Sequence, residues 1–309
     1  MLLLGLSTRT FAQQTPPDEA TMRVGFSSDI FRGINIVDAR NSIKALTASL
    51  AREYDIPTDK EPLIYENIDE AENILNHRLI GAINMTTSEY WLLRPKLSLD
   101  RFLVTVQNGT ANEIYILLAK KDSNVATLAD LRGKHLTMMT SPAMNLATVW
   151  LDVELAKQSL PPTTKLLGSI LNFTKPAKVV LPVFFGQADA CLVTRRAYDT
   201  MVELNPEVGR QLRIIAASPT CVSALFSFRA DVPASLKEKT IRAFVSMHHT
   251  QHGRQLLALF QTEEITECSA AAFDTSLALL DEHARLCPEA SATLIASLRG
   301  QYQAPLPTP

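Results

Sequence analysis

The chain has 309 residues, 46% of them hydrophobic and 20% charged, so it is long enough for two hydrophobic cores and too apolar to be disordered. Thirty Lys and Arg residues against 32 Asp and Glu residues leave a formal charge of -2 with no basic run, which excludes nucleic acid as a leading partner. With no Gly-x-Gly-x-x-Gly and no Gly-x-x-x-x-Gly-Lys, there is no glycine cradle for a nucleotide.

The N-terminus, MLLLGLSTRTFAQQ, sets an apolar patch from Leu2 to Leu6 ahead of Thr10-Phe11-Ala12, a small-x-small cleavage pattern. Residues 1–20 are therefore expected to be a shortened signal peptide and leader, and the mature chain to be periplasmic; a frayed apolar terminus is the alternative. No segment reaches the ~18 consecutive apolar residues of a spanning helix.

MRVGFSS (22–28) predicts a strand ending in small polar residues, followed by an amphipathic helix over 39–54. PLIYEN (62–67) predicts a second strand, 69–78 a helix with Asp69 near its N-cap, and GAINMTT (81–87) a third strand. Strands alternating with helices imply a mainly parallel sheet with right-handed crossovers. RFLVTVQ, Asn108-Gly109 and EIYILLAKK then predict two strands joined by a tight hairpin.

Thr127 and Asp130 have capping-box spacing, HLTMMT (135–140) reads as a strand, and Ser141-Pro142 opens a helix to about Gln158. KLLGSI (165–170), a helix over 176–187, ADACLVT (188–194), a helix from Ala197 and LRIIAAS (212–218) continue the alternation. CVSALFSFR (221–229) is an isolated β-rich run before a second capping box at Ser235 and Glu238; beyond it only helices are predicted as far as Arg299. The proline-rich residues 304–309 are expected to be a disordered tail. This order suits two α/β lobes joined by two crossing strands, lobe 1 built from 21–118 with 222–303 and lobe 2 from 119–221.

LADLRGKHLTMMTSP, LPVFFGQADACLVTRRAYD and IIAASPTCVSALFSFRADVPASLKEK resemble segments of the phosphate, phosphite and phosphonate-binding periplasmic proteins of ABC transporters, a similarity covering about residues 20 to 255. The resemblance implies an α/β fold of the two-lobed, type II periplasmic-binding (Venus flytrap) kind, with two mostly parallel sheets joined by crossing strands. It implies an extracytoplasmic, monomeric solute-binding component of an ABC transporter, needing no cofactor and catalysing nothing. Such a protein captures a small polar or anionic molecule by cleft closure and delivers it to an inner-membrane ABC permease. In that family a Ser-Thr-Ser run at a helix N-terminus holds the oxyanion; the matching positions here are Ala143-Met144-Asn145. Two hydroxyl donors are thus replaced, although free N–H groups at a helix start still favour an anion by roughly 0.3 to 1 kcal/mol. An acidic residue that the family places after the GQADA strand corresponds to Thr194. Both departures weigh against phosphonate itself. Two other uses of the fold stay open: a sensor whose closure is read by a kinase, and a cofactor-biosynthesis enzyme acting on a pyrimidine or menaquinone precursor.

Candidate ligand residues follow from strand ends, where open α/β sheets bind ligands. Ser27 and Ser28 end the first strand, Thr86, Thr87 and Tyr90 follow the third, Ser141 and Asn145 open the helix of the second lobe, and Thr194 and Arg195 close the GQADA strand. Ser27, Ser28 and Ser141 can equally cap helices. Tyr65 and Tyr90 can stack on a ligand or pack half-buried. Arg195 or Arg196 can hold a carboxylate or phosphate bidentately, or begin a solvated helix. His248 and His252 are spaced i, i+4 with His249 beside them, but no third metal ligand is evident and a polar helical stretch explains them better. Cys268 and Cys287 bracket SAAAFDTSLALLDEHARL and can form a disulfide if the chain turns back between them, whereas Cys191 reads as a buried small hydrophobe.

Overall fold

The computed structural model describes residues 21–32, 35–58, 61–260 and 262–301, so the expected leader and tail, and the side chain of His252, lie outside the described residues. The first βα units are β1 (Val24–Ser27), α1 (Ile36–Tyr54), β2 (Leu63–Tyr65), α2 (Ile68–Asn76), β3 (Ala82–Thr86) and α3 (Thr87–Leu93). Each helix starts where a short polar side chain takes up a free N–H: Asn67 Oδ1 accepts from Glu70 N at 2.9 Å, and Thr86 closes a full capping box with Glu89. On α2, Ile68, Ala71, Ile74 and Leu75 are buried, the i, i+3, i+7 stripe of a helix lying on a sheet. β1 runs parallel to both β2 and β3, as the alternation predicted.

The chain continues through β4 (Leu99–Val106), β5 (Tyr115–Lys120), β6 (His135–Met139), α4 (Ala147–Lys157), α5 (Thr163–Leu166), β7 (Ser169–Phe173) and α6 (Pro176–Phe184). Then follow β8 (Ala190–Thr194), α7 (Arg195–Leu204), α8 (Pro206–Gln211), β9 (Leu212–Ala217) and β10 (Ala224–Arg229). The end is formed by α9 (Ala234–Ser246), α10 (Gln251–Leu259), β11 (Glu264–Cys268), α11 (Asp274–Leu286) and α12 (Pro288–Leu298). Six strands form one sheet in the order β11-β4-β10-β3-β1-β2, and five form another in the order β7-β6-β8-β5-β9.

These sheets are mixed, which corrects the expectation of mostly parallel ones. The pairs β3–β10, β10–β4 and β4–β11 are antiparallel, as are β8–β5 and β5–β9. β5 and β10, the strands that follow the two crossings, each enter their sheet against the direction of its βαβ core. For the same reason β4 and β5 are not hairpin partners. Asn108 and Gly109, at φ 51° and 71°, do make the tight turn that their types favour, closed by Gln107 and Thr110, but the strands on either side diverge into different sheets.

Four local expectations also change. The helix opened by Ser141-Pro142 breaks into a 3-10 turn (Pro142–Met144) and then α4, and Ser141 makes no side-chain cap. α9 starts after Pro233 with no side-chain cap, so the Ser235–Glu238 capping box is not made; Glu238 pairs with Arg101 instead. β11 interrupts the expected run of helices; its only buried residue is Ile265, and its Glu264, Thr266 and Glu267 mark a protected sheet edge. The C-terminal helices, expected with lobe 1, pack on both halves: Leu279 and Leu280 join the core around β5 and Trp150, while Phe273 and Leu277 join that around Ile83.

All four cysteines are free thiols. The expected Cys268–Cys287 bond is not formed: Cys268, at the end of β11, packs against the core around Ile83, whereas the Cys287 thiol donates to Asp152 O at 3.5 Å beside α4.

Candidate functional site

Two short segments, 107–114 and 218–223, carry the chain between the sheets. Glu113 N donates to Cys221 O at 2.7 Å, Cys221 N returns a bond to Glu113 O at 2.8 Å, and Ser218 N and Oγ pair with Tyr115 O and N at 2.8 Å each. Above this floor lies a crevice of about 420 Å³ lined from both sheets. Its size is that of a small-molecule site.

The two ends of the crevice differ in chemistry. At the floor and the second sheet it is polar, with Gln107, Asn108, Thr110, Ser141, Thr194 and Arg196. Toward the first sheet it is aromatic. Phe260, Phe31, Phe26, Phe226 and Phe244 form a connected chain of rings with centroids 6.2, 6.2, 6.1 and 5.3 Å apart. Charge in the lining is already matched. Arg196 donates to the carboxylate of Glu113 and, at 3.5 Å, to Gln107 O. Burial pushes the Glu113 carboxyl up, and Arg196 opposes that shift. Arg32 forks onto Asp29 through bonds of 3.1 and 3.0 Å.

Of the predicted site residues, Ser141 and Thr194 reach the crevice wall. The Ser141 hydroxyl is buried with no hydrogen-bond partner among the described residues, whereas Thr194 Oγ1 accepts from Ala197 N and caps α7. Arg196, not Arg195, lines the crevice, because one residue along a helix turns the side chain by about 100°. Asn145 sits just behind the wall and accepts a 2.8 Å bond from Ser88 Oγ, joining the 3-10 turn of one half to α3 of the other. With α4 delayed to Ala147 and its first turn buried, the expected anion site at the helix start is not assembled there.

Except for the half-buried Ser28, the remaining predicted residues belong to the interior. Tyr65 is fully buried and donates to Asn84 O at 3.3 Å; Tyr90 stands edge-on to Phe102 and Phe273. Thr87 Oγ1 donates to Val222 O at 2.6 Å. Ser27 Oγ donates to Glu89 Oε1 at 2.7 Å while Thr86 N and Oγ1 donate to Oε2 at 2.7 and 2.8 Å. That carboxyl is pushed up to about 7, chiefly by burial. Ser28 begins a 3-10 turn (Ser28–Phe31) and is absent from the lining. Strand ends thus became buried caps, and the residues that line the crevice instead come from the crossing segments and from phenylalanines that no local pattern marks. The run of Phe residues at 26, 31, 226, 244 and 260 was the available signal, but only the folded sheet brings them together.

His248 and His249 occupy a 3-10 turn (Met247–His249), and Thr250 caps a new helix after it, so His248 and His252 do not share one continuous helix. Among the described residues no group of three or more His, Cys, Asp or Glu side chains is placed to hold a metal ion, and no helix is long and apolar enough to cross a membrane.

A family model described as "ABC transporter, phosphonate, periplasmic substrate-binding protein" matches residues 37–273. Among solved structures, XAC2383 from Xanthomonas citri bound to chloride is similar with a TM-score of 0.60 at 16% identity, over 86% of this chain and 98% of that one; the same protein bound to ATP aligns equally far, with a TM-score of 0.59 at 15% identity. A binding protein component of an ABC phosphonate transporter from Pseudomonas aeruginosa aligns over 92% of this chain and 96% of its own, with a TM-score of 0.55 at 16% identity. PhnD1 from Prochlorococcus marinus in complex with methylphosphonate does so over 87% and 98%, with a TM-score of 0.55 at 13% identity. At these identities the likeness is one of fold. No curated protein matches the sequence.

Proposed function

We propose that this chain, which belongs to the periplasmic substrate-binding proteins of phosphonate ABC transporters, is itself an extracytoplasmic receptor that closes its crevice on a small solute and passes it unchanged to a membrane permease. The observation that carries this reading is the crevice lined from both sheets above two short crossing segments. A solute touching both walls binds the closed arrangement more tightly than the open one, and that difference drives closure. Few backbone dihedrals in the crossings need to change for the halves to rotate.

The test is thermal melting of the purified protein with phosphate, methylphosphonate, chloride, ATP, carboxylates, amino acids and amphipathic solutes, followed by mass spectrometry of the recovered compound. A solute at a hundred times its dissociation constant adds about 2.7 kcal/mol of stability. The expected outcome is a concentration-dependent rise for one class, with the solute recovered intact and the protein more compact in X-ray scattering. Conversion of the solute, or binding with no change in compactness, would overturn the receptor reading.

A further inference from the structure

We infer that the crevice is built for an amphipathic solute, with a compact hydrogen-bonding head at the floor and an apolar body against the phenylalanine wall. This rests on the receptor reading above. The five connected rings, Phe26, Phe31, Phe226, Phe244 and Phe260, form one end of the crevice, and Leu257 completes that surface. Four of these rings are only 4–8% exposed, so each turns a small part of its surface to the crevice, and an apolar body lying there adds contacts that those faces lack. The open space continues behind them. A second, smaller apolar cavity of about 30 Å³ is bounded by Phe26 and Phe244 together with Leu46 and Ile56. Apolar hollows of this kind take up apolar guests in preference to water.

Charge points the same way. A small dianion gains most from free guanidinium groups, yet Arg196 is committed to Glu113, which among the described residues leaves Arg32, paired with Asp29 at the solvent-exposed side, as the one cation of the lining within easy exchange. The Glu113 side chain is only 9% exposed, so pulling Arg196 away leaves a buried carboxylate uncompensated. Hydroxyl and amide groups at Ser141, Asn108 and Thr110 remain to orient a head, while most of the contact area on offer is apolar. A compact anion occupies only the polar end.

The experiment is calorimetric titration of the full chain with two homologous series, n-alkylphosphonates and n-alkanamides, from one to eight carbons. Each methylene buried against the wall is expected to raise affinity roughly fourfold in both series until the chain fills the space. Leu257→Trp, which occupies part of that space, is expected to shorten the chain length at which affinity peaks. Affinity independent of chain length, with methylphosphonate or another compact solute binding well, would overturn the inference and leave the receptor reading intact. Failure of every member of both series and of all compact solutes to bind would overturn both.

Discussion

Ser88 Oγ, in the first turn of α3, donates to Asn145 Oδ1 at 2.8 Å, linking the two sheet systems beside the crevice floor. A part-buried side-chain pair of this kind contributes about 1 kcal/mol net. Ser88→Ala and Asn145→Ala are each expected to lower stability by about that amount, and the double variant by much less than their sum, because they remove one shared bond. Urea denaturation of the four proteins measures the coupling; strict additivity would show that the bond carries no stability.

Glu89 makes stability depend on pH. Its folded pKa of about 7 exceeds the ordinary 4.5, so between these values the folded chain binds the extra proton and the unfolded chain does not. Stability conferred by the protonated group is therefore full below pH 4.5, falls as pH rises through the window and is flat above 7, a loss of roughly 3 kcal/mol. Glu89→Gln is expected to remove that fall. Denaturation curves from pH 4.5 to 8 decide it: parallel profiles for the two proteins would place the titration elsewhere.

Arg196→Ala is expected to cost about 2 to 3 kcal/mol at neutral pH, since it strands the buried Glu113 carboxylate. Adding Glu113→Gln to that variant should recover most of the loss. The cost of Arg196→Ala alone should also shrink as pH falls toward the ordinary carboxylate range, where Glu113 is protonated in both folded and unfolded chains. A loss of equal size at pH 4 and pH 7.5 would mean that packing, not charge, explains it.

The thiols offer a separate check. Burial pushes Cys268 up to about 11 and Cys191 higher still, and Cys191 is fully buried while Cys268 is part-exposed. Iodoacetamide at pH 8 is expected to modify Cys268 first and slowly, and to leave Cys191 untouched until the chain unfolds. Peptide mapping without reductant should show no Cys268–Cys287 link; finding one would require the segment between β11 and α11 to rearrange.

The order of strands and helices was legible in the sequence because hydrophobic periodicity and caps act over a few residues. The βα alternation from β1 to α2 follows the predicted runs, and Asp69 falls in the first turn of α2. β11 escaped notice because an edge strand buries too little to show a pattern; Ile265 alone is covered. The candidate site was less legible. Ser27 and Thr86 do end strands, but a buried Glu89 claims both hydroxyls.

Local chemistry in the chain thus determined the βα units and the family-like segments. Tertiary structure decided which side chains face the crevice. β10 enters the first sheet antiparallel between β3 and β4, which brings Phe226 beside Phe26, two hundred residues apart in the chain. A single step along α7 gives Arg196 rather than Arg195 to Glu113. Facing depends on strand pairing and helix phase over long separations, and no window of neighbouring residues contains that information.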